Sequence, residues 1–273
     1  MRISNFSAEK SRTRCLKFRK RILDISQTVS ALHAAGAFSA LEMVDCIYHG
    51  LMRKDNKGKF KDTFLMSKGH GCISQYVILE DLKILSKKDL DSYCKPDGKL
   101  GCHPDYGVPG IEASTGSLGH GMGLAVGMCH ADIIKKKDCK LFLIISDGEL
   151  QEGSTWENMM MAANLELENL ICFLDHNGSQ SFGHTKDTHP KFYPIKEKII
   201  SFGWECLEVN GHNVEELIKS VNIRHANKPL MIIGNTVKGK GVSFMENKPI
   251  WHYRSPTREE YIIALKELKE IKL

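Results

Sequence analysis

Asp147 and Asn177 stand 30 residues apart, and both carry oxygen donors of the kind that hard divalent cations prefer. Each follows a short apolar run. Leu141 to Ile145 has the length of a buried strand and leads into Ser146-Asp147-Gly148; a helical pattern begins near Ser154; Leu170 to Leu174 leads into Asp175-His176-Asn177. This is a βαβ unit. Its strands must be parallel, so Asp147 and Asn177 emerge side by side at the carboxyl edge, where parallel sheets bind ligands. A carboxylate, a carboxamide, a backbone carbonyl and a diphosphate together supply the oxygen shell that Mg²⁺ demands. Gly148, lacking a Cβ, lets the main chain approach a phosphate closely. The stretch is built like a metal and diphosphate cradle.

Six further blocks accompany it: Ser67-Lys68-Gly69-His70, Gly101-Cys102-His103-Pro104-Asp105, Ser114-Thr115-Gly116-Ser117-Leu118-Gly119-His120-Gly121, Asn210-Gly211-His212, Lys238-Gly239-Lys240-Gly241 and Trp251-His252. In this order and spacing they resemble the amino-terminal, cofactor-diphosphate half of transketolase, and the likeness covers nearly the whole chain. The resemblance implies an α/β thiamine-diphosphate-binding fold, a parallel sheet with helices on both faces, forming one diphosphate-binding domain over residues 1–273. It also implies thiamine diphosphate with Mg²⁺, or with Ca²⁺ or Mn²⁺ in its place.

On this resemblance the metal is held by Asp147, Asn177 and the backbone carbonyl of Ser179. The cofactor is bound by His70, Gly116, Leu118, Asp147, Gly148, Glu149, Asn177 and His252. His33, His70, His103 and His252 line the channel for cofactor and substrate, where imidazole can donate, accept and titrate near neutral pH. Glu152 matches a carboxylate at the subunit contact that communicates with the glutamate activating the aminopyrimidine. Four positions depart from the family pattern: Ser146 where Gly is usual, Ala34-Ala35 where Pro-Gly is usual, and His120 where Gln is common.

The reaction implied is transfer of a two-carbon ketol unit from a ketose to an aldose, on sugar or sugar-phosphate substrates. The cofactor carries that chemistry while protein groups orient and ionise it. The activating glutamate and the pyrimidine pocket belong, in the family, to a pyrimidine-binding domain absent from this sequence, as is the C-terminal domain. The chain is therefore expected to act only with a second subunit, in an α2β2 heterotetramer. Two other readings keep the cofactor fold: an inactive scaffold paralogue, and the α subunit of another thiamine-diphosphate enzyme. An NAD(P) oxidoreductase is disfavoured, because no apolar strand leads into Gly119-His120-Gly121-Met122-Gly123.

Composition excludes several classes. The chain is 42% hydrophobic and 26% charged, ordinary values for a globular protein, and no apolar run is long enough to cross a bilayer. The polar amino terminus lacks the apolar core of a secretory signal, so a cytoplasmic location is expected. Nine scattered cysteines without a C-x-x-C pair disfavour a disulfide framework and a zinc site. The net charge of +5 and the basic run from Arg12 to Arg21 do not make a nucleic-acid surface, because apolar residues thread the run as on one solvated helix face.

The elements that must position these residues follow from periodicity. Helices are expected over Ser7 to His33 and over Ser39 to Met52, the second opened by a Ser39/Glu42 capping box. A short helix begins at Ser86, a small-residue helix runs from Leu118 to Lys136, and helices follow at Ile195 to Phe202, Val214 to His225 and Thr257 to Ile271. Strands are expected at Trp204 to Val209 and Leu230 to Gly234. Alternation of strand and helix predicts a parallel sheet covered on both sides.

Overall fold

Segments of four to seven residues pair in parallel to make the central sheet of this computed structural model, which describes residues 6–181 and 183–271. Its strands are β1 (Thr63–Met66), β2 (Leu141–Ser146) and β3 (Leu170–His176). The two-residue strands β4 (Ser179–Gln180) and β5 (Gly183–His184) then form a separate antiparallel ladder, and β6 (Glu205–Asn210) and β7 (Leu230–Asn235) complete the sheet. The order is β1-β2-β3-β7-β6. Ser146 pairs with Asp175 and His176 with Asn235, so the strands end together at one edge.

Alternate residues of each strand point into two cores. Phe64, Phe142, Ile144, Phe173 and Ile232 pack beneath helices α1 (Ala8–Ser26), α2 (Ala34–Cys46) and α3 (Cys72–Asp81). After the short α4 (Lys87–Asp91) comes α5 (His120–Ile134), which with α6 (Gly153–Asn164) covers Leu65, Leu143, Ile145 and Leu174 on the other side. Beyond α7 (Thr185–Thr188), α8 (Ile195–Ser201) joins this second layer, whereas α9 (Val214–Ser220) joins the first, and α10 (Arg258–Glu270) packs on α1. Burial on both faces is why β2, β3 and β7 read as apolar runs, whereas β6, at the sheet edge, alternates.

Several boundaries differ from those expected. The first helix stops at Ser26 instead of running to His33, because the Ser26 and Thr28 hydroxyls donate to the carbonyls of Leu23 and Ile25 and hold the last turn closed. The second begins at Ala34, with His33 at its N-cap. Ser39 and Glu42 therefore form no capping box: both lie buried within α2, where Ser39 donates to Asp175 and Glu42 pairs with Arg19 and His212. Strand β1 and helix α3 were not expected; both are short, and only their tertiary partners identify them. The helix at Val214 ends at Ser220, five residues early. On α10 the buried face runs through Ala264 and Leu268, while Ile262 is exposed. The capping boxes that do form are Ser86/Asp89 and Thr257/Glu260.

The basic run is solvated only in part: Arg12 and Lys17 are exposed, while other members pair inward. Arg14 pairs with Asp45, the buried Arg19 with Glu42, and Arg21 with Glu80 and Asp91.

Candidate functional site

The carboxyl ends of β1, β2, β3 and β7 meet in one place, and the residues just past each end build the site. Asp147 follows β2 and is fully buried. Its Oδ1 accepts from the Gly148 N–H at 2.9 Å and its Oδ2 from the Gly178 N–H at 2.7 Å, so one carboxylate ties the β2 turn to the turn after β3. Burial, and then the neighbouring Asp175, push its pKa up. Asn177 lies beside it: its carboxamide donates to Asp175 Oδ2 at 3.2 Å and accepts from the Ser179 N–H at 3.1 Å. Ser179 opens the β4–β5 ladder opposite His184.

The turn around Gly148 is open. A Cβ there would meet only Ser146 Oγ, at 3.9 Å. Ser146 itself adopts no positive φ, and its Oγ accepts from the Glu149 N–H at 3.3 Å, so the departure from Gly costs no backbone strain. Glu149 is buried; its Oε1 accepts from Ser67 Oγ and from the Gly119 N–H (2.9 Å), and its Oε2 has no partner among the described residues. Burial raises its pKa. Glu149 therefore fastens the β1 and Gly119 loops to the diphosphate turn through its side chain.

The four histidines converge from four separated segments. Ring centroids lie 5.3 Å apart for His33 and His70, 5.3 Å for His33 and His252, 5.7 Å for His70 and His252, and 6.2 Å for His33 and His103. Gly116, at φ +135°, passes so close to His103 that a Cβ would lie 2.5 Å from its ring, and Gly69 touches the Gly116 main chain in the same way. Leu118 follows on this loop, half-buried. Cys102 Sγ lies 3.2 Å from His103 Nδ1, within hydrogen-bond reach.

Burial sets the charge state of this cluster, and two lysines reinforce it. Buried Lys238 donates to His252 Nδ1 at 2.8 Å, and Lys68 sits beneath, paired with Asp175 and donating to the Gly36 carbonyl at 2.9 Å. Burial and then the nearby His252 and His103 lower the His33 pKa to about 3; burial and then Lys238 lower that of His252 to about 4; His70 is pushed down as well, by burial and Lys68. These three rings are neutral at pH 7, each able to donate and accept one hydrogen bond. Burial and Lys68 lower the Lys238 pKa to about 8, so it remains largely protonated. The surface pairs a buried cation with neutral, hydrogen-bonding rings.

The structure thus brings together His33, His70, His103, His252, Gly116, Asp147, Gly148, Asn177 and Ser179. Glu152 is apart from them: it is exposed at the N-cap of α6, against Gly119. Lys68, Asp175, Ser39 and Thr236 escaped the sequence reading. Asp175 accepts from Ser39 at 2.6 Å and from Thr236 at 2.5 Å as well as from Lys68. An acid closing a strand of otherwise apolar residues was the available signal.

Comparison with known proteins gives this geometry a context. Residues 12–269 match the family model described as "Transketolase, thiamine diphosphate binding domain". The chain is 37% identical over 260 residues to an apulose-4-phosphate transketolase subunit from Phocaeicola vulgatus, covering 93% of this chain and 92% of that protein. It is 36% identical to the 6-deoxy-6-sulfo-D-fructose transketolase subunit SqwG of a Clostridium species, covering 92% of this chain and 94% of the relative. Solved transketolases from Leishmania mexicana and Campylobacter jejuni superpose with TM-scores of 0.86 each, at 26% and 25% identity, over 97% of this chain. The chain spans 41% and 43% of the length of those two chains, against nearly all of the two subunits. With its cradle at the strand ends and its match along nearly the full length, the chain belongs to the transketolase thiamine diphosphate-binding domain family.

Proposed function

We propose that this chain is the diphosphate-binding subunit of a two-chain transketolase, moving a two-carbon ketol unit from a ketose to an aldose once a second subunit supplies the pyrimidine-binding face. The observation that carries this reading is the open Asp147–Asn177 turn set directly beside a neutral histidine cluster backed by Lys68 and Lys238. Relatives of nearly the same length are named as transketolase subunits.

The residues fit the cofactor and its metal. A buried carboxylate with a raised pKa gains by meeting a cation, Asn177 and the Ser179 carbonyl add neutral oxygens, and the open face at Gly148 admits a diphosphate oxygen. Among the described residues no three His, Cys, Asp or Glu side chains are placed to hold a metal by themselves, so ligand oxygens must share the shell. Mg²⁺ suits that donor set, and Ca²⁺ or Mn²⁺ can replace it. When bound, thiamine diphosphate supplies the carbanion chemistry.

The chain's own residues bind, orient and move protons. Asp147, Asn177 and Ser179 hold the metal; Gly148 and Glu149 shape the diphosphate turn; Gly116 and Leu118 present main chain to the rings. His70 and His252 donate to diphosphate oxygens. His33 and His103 reach sugar or sugar-phosphate hydroxyls, His33 as a neutral ring that hydrogen-bonds without carrying charge. Glu152 faces the partner.

A surface for that partner is at hand. Leu124 on α5 is exposed and lines a groove with Ser117, Gly119, His120, Gly123 and Asn158, Glu152 lies against Gly119 of that groove, and Met160 and Met161 on α6 are exposed as well. An α2β2 assembly of single-domain chains would cover this face. No described helix is long and apolar enough to cross a membrane, and we place the assembly in the cytoplasm.

The test is ketol transfer and calorimetric binding of thiamine diphosphate with Mg²⁺, using the chain alone and with a candidate second subunit. Binding and turnover that require both chains support the reading. Equal turnover by the isolated chain removes the partner from it, and failure of cofactor binding in both settings replaces it with the scaffold.

A further inference from the structure

The outermost ring of the histidine cluster is not a histidine. Tyr253 closes the 3₁₀ turn Pro249–Tyr253, and its ring stacks on His33 with centroids 4.4 Å apart and planes tilted by 36°. It is 53% exposed, and its hydroxyl bonds to none of the described residues. The stack on His33 uses one ring face and leaves the hydroxyl and the other face available to a ligand.

The turn that carries it is pinned on both sides. Trp251 is buried against Phe244, with centroids 5.2 Å apart. The Arg254 guanidinium lies 4.1 Å over the Trp251 ring and reaches Glu260 of α10 at 2.8 Å. His252, between them, accepts from Lys238. Tyr253 is therefore a rigid wall rather than a mobile lid, with one ring face on His33 and the rest of its surface turned outward.

We propose that Tyr253, backed by His33, is the specificity-determining residue that limits how long a carbon chain the acceptor sugar can carry. This rests on the ketol-transfer reading above. A flat ring beside the neutral, hydrogen-bonding His33 offers its free face to the C–H side of a short sugar and its hydroxyl to a terminal oxygen, and it occupies space that a longer chain would take beyond His33. Shape discrimination of this kind is worth about 10- to 200-fold per methylene-sized group.

The experiment uses the two-subunit complex loaded with thiamine diphosphate and Mg²⁺, one fixed ketose donor and unbranched aldoses of three to six carbons. Wild type is expected to favour the short acceptors, Tyr253→Phe to keep that ranking, and Tyr253→Gly to raise kcat/KM for the six-carbon aldose relative to the three-carbon one by about tenfold or more. Cofactor affinity should be the same in all three proteins, which controls for folding. Alditol phosphates of four to six carbons have no carbonyl to react and give a second readout by calorimetry: affinity falls with length in wild type and is flat in Tyr253→Gly. A length-independent wild type, or a length profile that Tyr253→Gly leaves unaltered, overturns the proposal. Length-dependent alditol binding without any ketol transfer would sink the transketolase reading and leave the wall standing.

Discussion

Lys68 and Asp175 form an ion pair whose side chains are 1% and 0% exposed, joining the end of β1 to the end of β3 across the intervening β2. Asp175 also takes Asn177, Ser39 and Thr236 as donors, and these outweigh the burial that would otherwise raise its pKa: Lys68, the largest favourable influence, holds it below the usual carboxylate range. The pair orients Asn177 without being one of the proposed ligands. It is the hidden frame of the site.

Removing one member leaves a charge stranded in the interior. Lys68→Met is expected to destabilise the chain by about 3–5 kcal/mol, and Lys68→Met/Asp175→Asn to recover a large part of that loss. Urea denaturation of the apo chain measures both. Additive losses in the double variant would show that the two residues do not act as a pair.

Asp147 is the metal's carboxylate in the proposed site. Asp147→Ala should weaken Mg²⁺-dependent binding of thiamine diphosphate to the two-chain complex by more than about 100-fold, beyond the loss usual for outer-shell changes. Calorimetry with and without Mg²⁺ reads this directly. Retained affinity would move the metal elsewhere.

The neutral histidines give stability a particular pH dependence. Between pH 6.5 and the folded values of about 3 and about 4, the unfolded chain binds protons at His33 and His252 that the folded chain does not. Stability contributed at these groups is therefore intact above pH 6.5 and declines as pH falls below it. The Tm of the apo chain should drop from pH 6.5 to 4.5, and less steeply in His252→Gln. Parallel curves for the two proteins would contradict the assignment.

Lys238 points the other way. Its charge is present below about pH 8 and is lost as pH rises through that value, so attraction for an anionic ligand weakens in alkali. Affinity for the cofactor should fall about tenfold between pH 7 and 9.5, roughly the 1.4 kcal/mol of one charge-assisted bond. Lys238→Arg, which keeps its charge, should flatten the profile. A wild-type affinity unchanged to pH 9.5 would exclude Lys238 from diphosphate binding.

Much of this site was legible in the chain because its residues follow strands. Leu141–Ser146 and Leu170–His176 are apolar runs that announce their own ends, so Asp147 and Asn177 could be placed side by side without coordinates. The histidine cluster needed the family likeness, since His33, His70, His103 and His252 share no local pattern that would bring them together. What stayed hidden is tertiary. Ser39 and Glu42 mimic a capping box, and only their burial against Asp175, Arg19 and His212 shows them to be mid-helix. Likewise, β1 has four residues and becomes a strand only by pairing with β2.

Because the site is a row of strand terminations, its geometry changes in steps. Lengthening β2 or β3 by one residue would advance Asp147 or Asn177 by about 3.3 Å and turn its side chain to the opposite face. No intermediate setting exists between a working cradle and none. Drift by insertion or deletion is therefore confined to connections such as Lys54–Lys61, while the strands themselves can change only by exchanging one side chain for another.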